Sequence, residues 1–127
     1  MVRETFERDL QELEDELLTL GSMVGQAITD SVASLKERDL DEARRLIAQD
    51  REMNEKRYAL EAKALTLIAT QQPMAGDLRT IAAVLSLASE LERIGDYAKG
   101  IAKINLMMGD EPLLKPLIDV PRMARKT

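Results

Sequence analysis

The chain contains neither histidine nor cysteine. The commonest general base, the commonest transition-metal ligand and thiolate chemistry are therefore all absent. What remains able to do chemistry is a set of carboxylates and amides in unusual places. Asp50 and Asn54 are spaced i,i+4, as are Glu92 and Asp96, and that spacing puts each pair on one helical face. Asp50 and Asn54, with Glu61, fall on a stripe of otherwise apolar residues; Glu92 falls on another, with Asp96 at its edge. Converging carboxylates repel one another unless a cation neutralises them. One reading is a metal site at Asp50, Asn54, Glu92 and Asp96, built from oxygen ligands and suited to Mg, Mn, Ca or iron. The other is an ion-pair network in which Arg51, Arg57 or Arg93 supplies the positive charge. No organic cofactor is indicated. A di-metal centre of the Glu-x-x-His kind has no histidine to draw on. Ser22 and Ser31 lack the base that would make either a nucleophile.

Those positions need long helices to hold them, and the sequence supplies three. Phe6, Leu10, Leu13, Leu17, Leu20, Val24 and Ala27 recur at three- and four-residue steps, predicting a helix over 3–36. Ala43, Ile47, Asp50, Asn54, Tyr58, Glu61, Leu65 and Ile68 do the same over 40–71, with Asp39 or Asp41 as a candidate cap. Pro73 ends that helix and is expected in the first turn of a third, over 74–107. The third helix carries two apolar stripes, as a helix touching two neighbours should. Lys99 and Lys103 read as a solvated face complementing its C-terminal dipole, and Gly109 as its terminating residue.

The expected fold class is all-α, an elongated up-down-up three-helix antiparallel bundle over 3–109. Each helix is about 50 Å long at the α-helical rise. Residues 110–127, with Pro112, Pro116 and Pro121, read as a linker and the opening of a further repeat. Reversing the chain near residues 72–73 sets Asp50 level with about residue 95 and Asn54 with about residue 91. Reversing it near 37–38 sets residues 50–54 against 21–25, where Gly21 and Gly25 suggest a close approach.

Composition narrows the function. Of 127 residues, 45% are apolar and 32% charged, and the only aromatics are Phe6, Tyr58 and Tyr97. That is the profile of a helical domain, not of a sandwich or barrel. The net charge of -5 is concentrated early: residues 1–61 hold sixteen acidic and nine basic side chains. An acidic half argues against nucleic-acid binding, which needs a cationic face. The longest uncharged stretches, Leu17–Thr29 and Ala64–Gly76, fall short of the roughly 20 apolar residues that span a bilayer. The start of the chain lacks the apolar core of a signal peptide. A cytoplasmic protein without direct membrane insertion is expected.

Two segments go further. Ala69-Thr70-Gln71-Gln72-Pro73-Met74-Ala75-Gly76-Asp77-Leu78-Arg79 resembles the helix-joint motif of the PhoU family of phosphate-regulon regulators. Leu91-Glu92-Arg93-Ile94-Gly95-Asp96-Tyr97-Ala98 resembles that family's acidic-x-x-x-Asp motif, and Asp50-x-x-x-Asn54 its counterpart on the preceding helix. The resemblance implies two tandem three-helix repeats, of which this chain carries one. It implies a non-enzymatic negative regulator of phosphate uptake and of the phosphate-starvation response, bridging a phosphate ABC transporter and a sensor histidine kinase. Such a protein works at the inner face of the membrane through its partners. The resemblance also implies metal binding, iron clusters included, at Glu92, Asp96 and Asp50, with Asn54 an amide where a carboxylate would ligate better. A chain with one repeat is expected to form a homo-oligomer. Other readings are a helical oligomerisation module, an accessory protein of a low-affinity phosphate permease without metal, and a carboxylate-bridged metalloenzyme.

Overall fold

A computed structural model describes residues 2–109. The connector expected at 110–127 lies outside the described residues. The described chain is all-α: α1 spans Val2–Glu37, α2 Leu40–Gln71 and α3 Ala75–Met108, and each packs on the other two. Cross-links between helices fix the up-down-up sense. Lys63 of α2 reaches Glu12 and Glu16 of α1 at 3.0 and 2.9 Å, and Arg45 reaches Asp30 at 3.5 Å, so these helices run antiparallel. Arg3 of α1 pairs with Asp77 of α3, which places their N-terminal ends together.

The joints are short because the backbone turns sharply at single residues. Arg38 adopts a left-handed conformation, φ 55°, after α1. The Arg38 and Asp39 amides then donate to the carbonyls of Leu35 and Ser34, satisfying groups that the helix end would otherwise leave unpaired. Asp39 caps α2, its Oδ1 accepting the Glu42 amide at 3.0 Å. Gln72 closes α2 with a second left-handed residue, φ 46°. Pro73 does not enter the first turn of α3 as expected. Gln72 turns left-handed and Met74 is extended at the N-cap, so the helix begins only at Ala75.

The core is two apolar clusters in series. Phe6, Leu13, Leu60, Ala64, Leu67, Ile81, Val84 and Ala88 fill the end near the α2–α3 joint. Leu20, Val24, Ala27, Ala43, Leu46, Met53, Ala98 and Ala102 fill the other. At the far end Asn105 is wholly buried, and its Nδ2 donates to the Ser34 carbonyl at 3.0 Å and the Asp39 carbonyl at 3.3 Å. The buried Ser31 and Ser34 hydroxyls donate to carbonyls of their own helix at 2.8 and 2.9 Å. The clusters give way to charge midway along the bundle, and the sequence-predicted site lies there.

Candidate functional site

On α2 the lower cluster begins at Leu60 and the upper one ends at Met53. Between and beside them stand Arg57 and Asp50, only 7% and 4% exposed. A shallow cleft opens here, lined by Leu20 and Val24 of α1, Asp50, Met53, Asn54 and Arg57 of α2, and Leu91, Glu92 and Gly95 of α3. Asp50 stands opposite Gly95: a Cβ added there would lie 3.9 Å from Asp50 Oδ1. That is the register expected from reversal at 72–73.

Each charge in the cleft has a partner. Asp50 Oδ2 accepts from Asn54 Nδ2 at 3.2 Å and lies 3.3 Å from Lys99 Nζ. Arg57 Nη1 donates to Glu61 Oε1 at 2.9 Å and lies 3.2 Å from Glu92 Oε2. The Tyr58 ring covers the guanidinium at 4.3 Å, close enough for a cation–π contact. Burial works against the Arg57 charge. The side chains of Glu61 and Tyr58, with the charges of Glu61 and Glu92, outweigh it and hold its pKa above the ordinary value. One donor, Arg57 Nε, is buried without an acceptor.

Of the four sequence-predicted ligands, the fold therefore brings three together. Asp50, Asn54 and Glu92 line the cleft; Asp96 is exposed and does not. Four residues further along a helix is about 40° further around it. Glu92 already sits at the rim of the seam, so the next step carries Asp96 out toward solvent. Glu61 joins the network through Arg57. Of the three arginines considered as counter-charges, Arg57 occupies the seam, whereas Arg51 and Arg93 pair with Glu55 and Glu90 on their own helices.

The sequence reading missed Lys99. Its spacing reads as a solvated face, and the fold makes it the counter-ion of Asp50, the most buried carboxylate among the described residues. The signal was the helix register, which sets residues near 95 against Asp50 and leaves a long side chain at 99 within reach. The close approach expected at Gly21 and Gly25 is absent within the bundle. A Cβ at Gly21 would make only an ordinary contact with Leu91, at 3.9 Å, and one at Gly25 would meet nothing within 4 Å.

The seam does not fit a metal as it is folded. A hard cation needs several free oxygen ligands, and here a guanidinium and an ammonium already hold them. Among the described residues no group of three acidic, histidine or cysteine side chains is arranged to hold a metal ion.

Comparison with known proteins decides the family. The PhoU domain model matches residues 17–104. The chain belongs to the PhoU family. It is 41% identical over 104 residues to the phosphate-specific transport system accessory protein PhoU homolog of Clostridium acetobutylicum, covering 81% of this chain and 48% of that one. It is 30% identical over 122 residues to the phosphate-specific transport system accessory protein PhoU of Escherichia coli K12, covering 96% and 51%. The crystal structure of the PhoU phosphate transport system regulatory protein from Streptococcus pneumoniae superposes with a TM-score of 0.77 at 33% identity, covering 83% of this chain and 50% of that one. The chain thus spans about half the length of the PhoU relatives it matches.

Proposed function

We propose that this chain is a regulatory accessory module of phosphate transport that works by docking and not by catalysis. The PhoU match over residues 17–104 carries this reading. The seam is consistent with it, because its carboxylates are tied up in ion pairs. The partners proposed are the phosphate ABC transporter and a sensor histidine kinase, met at the cytoplasmic face of the membrane, with repression of phosphate uptake as the outcome. No helix among the described residues is long and apolar enough to cross a membrane, so contact with the bilayer runs through those partners. The test is co-sedimentation of the purified chain with membranes that contain or lack the phosphate transporter. Retention that depends on the transporter supports the role; equal retention on both membranes refutes it.

A specific surface favours self-association as well. Gly21 of α1 faces Leu91 of α3. Leu18 and Gly25 lie on the same side of α1, and Leu87 and Ile94 flank Leu91 at helical spacing. Leu18, Leu87 and Ile94 are all exposed, and the stretches Leu17–Thr29 and Thr80–Ser89 carry no charge. A largely apolar face of this kind suits docking. The proposed occupant is a second three-helix bundle of the same kind, since the relatives are about twice as long as this chain. Sedimentation of the isolated chain should then show a dimer, and Leu18→Glu with Leu87→Glu a monomer. A wild-type monomer at micromolar concentration refutes it.

A further inference from the structure

We infer that Arg57 and Lys99 occupy the positive-charge position of the α2–α3 seam, so that this chain closes the seam as an ion-paired joint and not around a divalent cation. Arg57 projects from the same side of α2 as Asp50, Asn54 and Glu61, and it is among the few charged side chains the bundle buries. Its guanidinium spans the two helices, bonded to Glu61 on its own helix and Glu92 on the other. Tyr58 covers it from outside. Lys99 takes the remaining deep carboxylate, Asp50. The seam therefore sets two cations against the three carboxylates of Asp50, Glu61 and Glu92, a residue of one negative charge. That is too little to attract a divalent ion, whose cages rest on several unpaired carboxylates.

An entering ion would have to displace a guanidinium, which is weakly hydrated and well matched to carboxylates. Without Arg57, Glu61 of α2 and Glu92 of α3, which meet on the same guanidinium nitrogen, would face each other with no counter-charge. Arg57 is the group that fills the point where those two carboxylates converge. This inference goes beyond the regulatory reading and does not depend on it, because every readout is made on the purified chain.

The experiment is calorimetric titration of Mn2+ at neutral pH into the wild type, Arg57→Glu and Arg57→Gln, with melting curves recorded with and without EDTA. The wild type should show no stoichiometric uptake and an unchanged melting temperature. Arg57→Glu should bind about one equivalent and melt higher with Mn2+ present. Arg57→Gln, the gentler change, should bind at least tenfold more tightly than the wild type and keeps the test open if Arg57→Glu does not fold. Stoichiometric binding by the wild type that is lost in Glu92→Gln overturns the inference. So does a folded Arg57→Glu chain that gains no binding.

Discussion

The ion-paired seam makes an asymmetric prediction about stability. Arg57→Met keeps the aliphatic stem and removes the guanidinium. The variant loses contacts at 2.9 and 3.2 Å to Glu61 and Glu92. The side chains left behind are 27% and 42% exposed, so water can replace the lost partner, and each pair is worth about 0–1 kcal/mol in that setting. Loss of the Tyr58 contact adds about 0.5–1 kcal/mol. Removal of a buried charge, and of an Nε with no acceptor, returns about 1 kcal/mol or more. The net cost should be about 1 kcal/mol. Glu61→Gln with Glu92→Gln does the opposite: it keeps the shapes and strands the guanidinium. Breaking a buried pair from that side costs about 3–5 kcal/mol, reduced here to about 2–4 because amide oxygens still accept hydrogen bonds. Urea unfolding followed by far-ultraviolet circular dichroism measures both. The double carboxylate variant should be the less stable by about 1–3 kcal/mol, roughly a factor of 5 to 140 in the folding equilibrium at about 1.4 kcal/mol per decade. If Arg57→Met costs as much or more, the seam is not built around a buried cation.

Three further predictions follow from other parts of the bundle. Hydrogen bonds from Lys63 to Glu16 and Glu12 raise its pKa, so its stabilisation is complete below the ordinary lysine value of about 10.4 and is lost as pH rises through the raised one. Lys63→Met should flatten the alkaline fall in melting temperature, and an unchanged alkaline limb contradicts this. Arg38→Gly should raise stability by about 1 kcal/mol in urea unfolding, because φ is 55° and the guanidinium nitrogens are buried without hydrogen-bond partners; a loss of stability shows an interaction that this reasoning lacks. Gly25→Ala should stabilise the isolated bundle by roughly 0.5–1 kcal/mol, since the new methyl meets nothing within 4 Å. If the α1–α3 face takes a second bundle at close range, the same change weakens dimerisation on sedimentation, and an unaffected dimer places the interface elsewhere.

The helices were legible because long unbroken stripes at three- and four-residue steps admit one period only. The register was legible as well: short joints fix the level of opposing residues, which sets Asp50 opposite residue 95 from the sequence alone. The counter-charges were legible only in part. Lysine reaches far from its own Cα, which hides Lys99; Arg57, at i+7 from Asp50 and i+3 from Asn54, lies on the stripe itself, a spacing that separates it from Arg51. Arg57 wins because it falls at the gap between the two apolar clusters, where α2 faces α3. Asp96 shows the reverse limit. An i,i+4 pair shares a face, but at the rim of a seam a rotation of about 40° decides between cleft and solvent. The third helix starts one residue later than its expected start at 74, because Gln72 turns left-handed and Met74 stays extended, which leaves Pro73 outside the first turn.

Regulation by docking is the role proposed for this family member. The most direct measurement is a phosphate-starvation reporter in a bacterium deleted for its own PhoU and supplied with this chain at high phosphate. The wild type should repress, Arg57→Met should still repress, and repression should be lost when the α1–α3 face carries Leu18→Glu with Leu87→Glu. A reporter that stays fully on while the folded wild-type chain accumulates would contradict it.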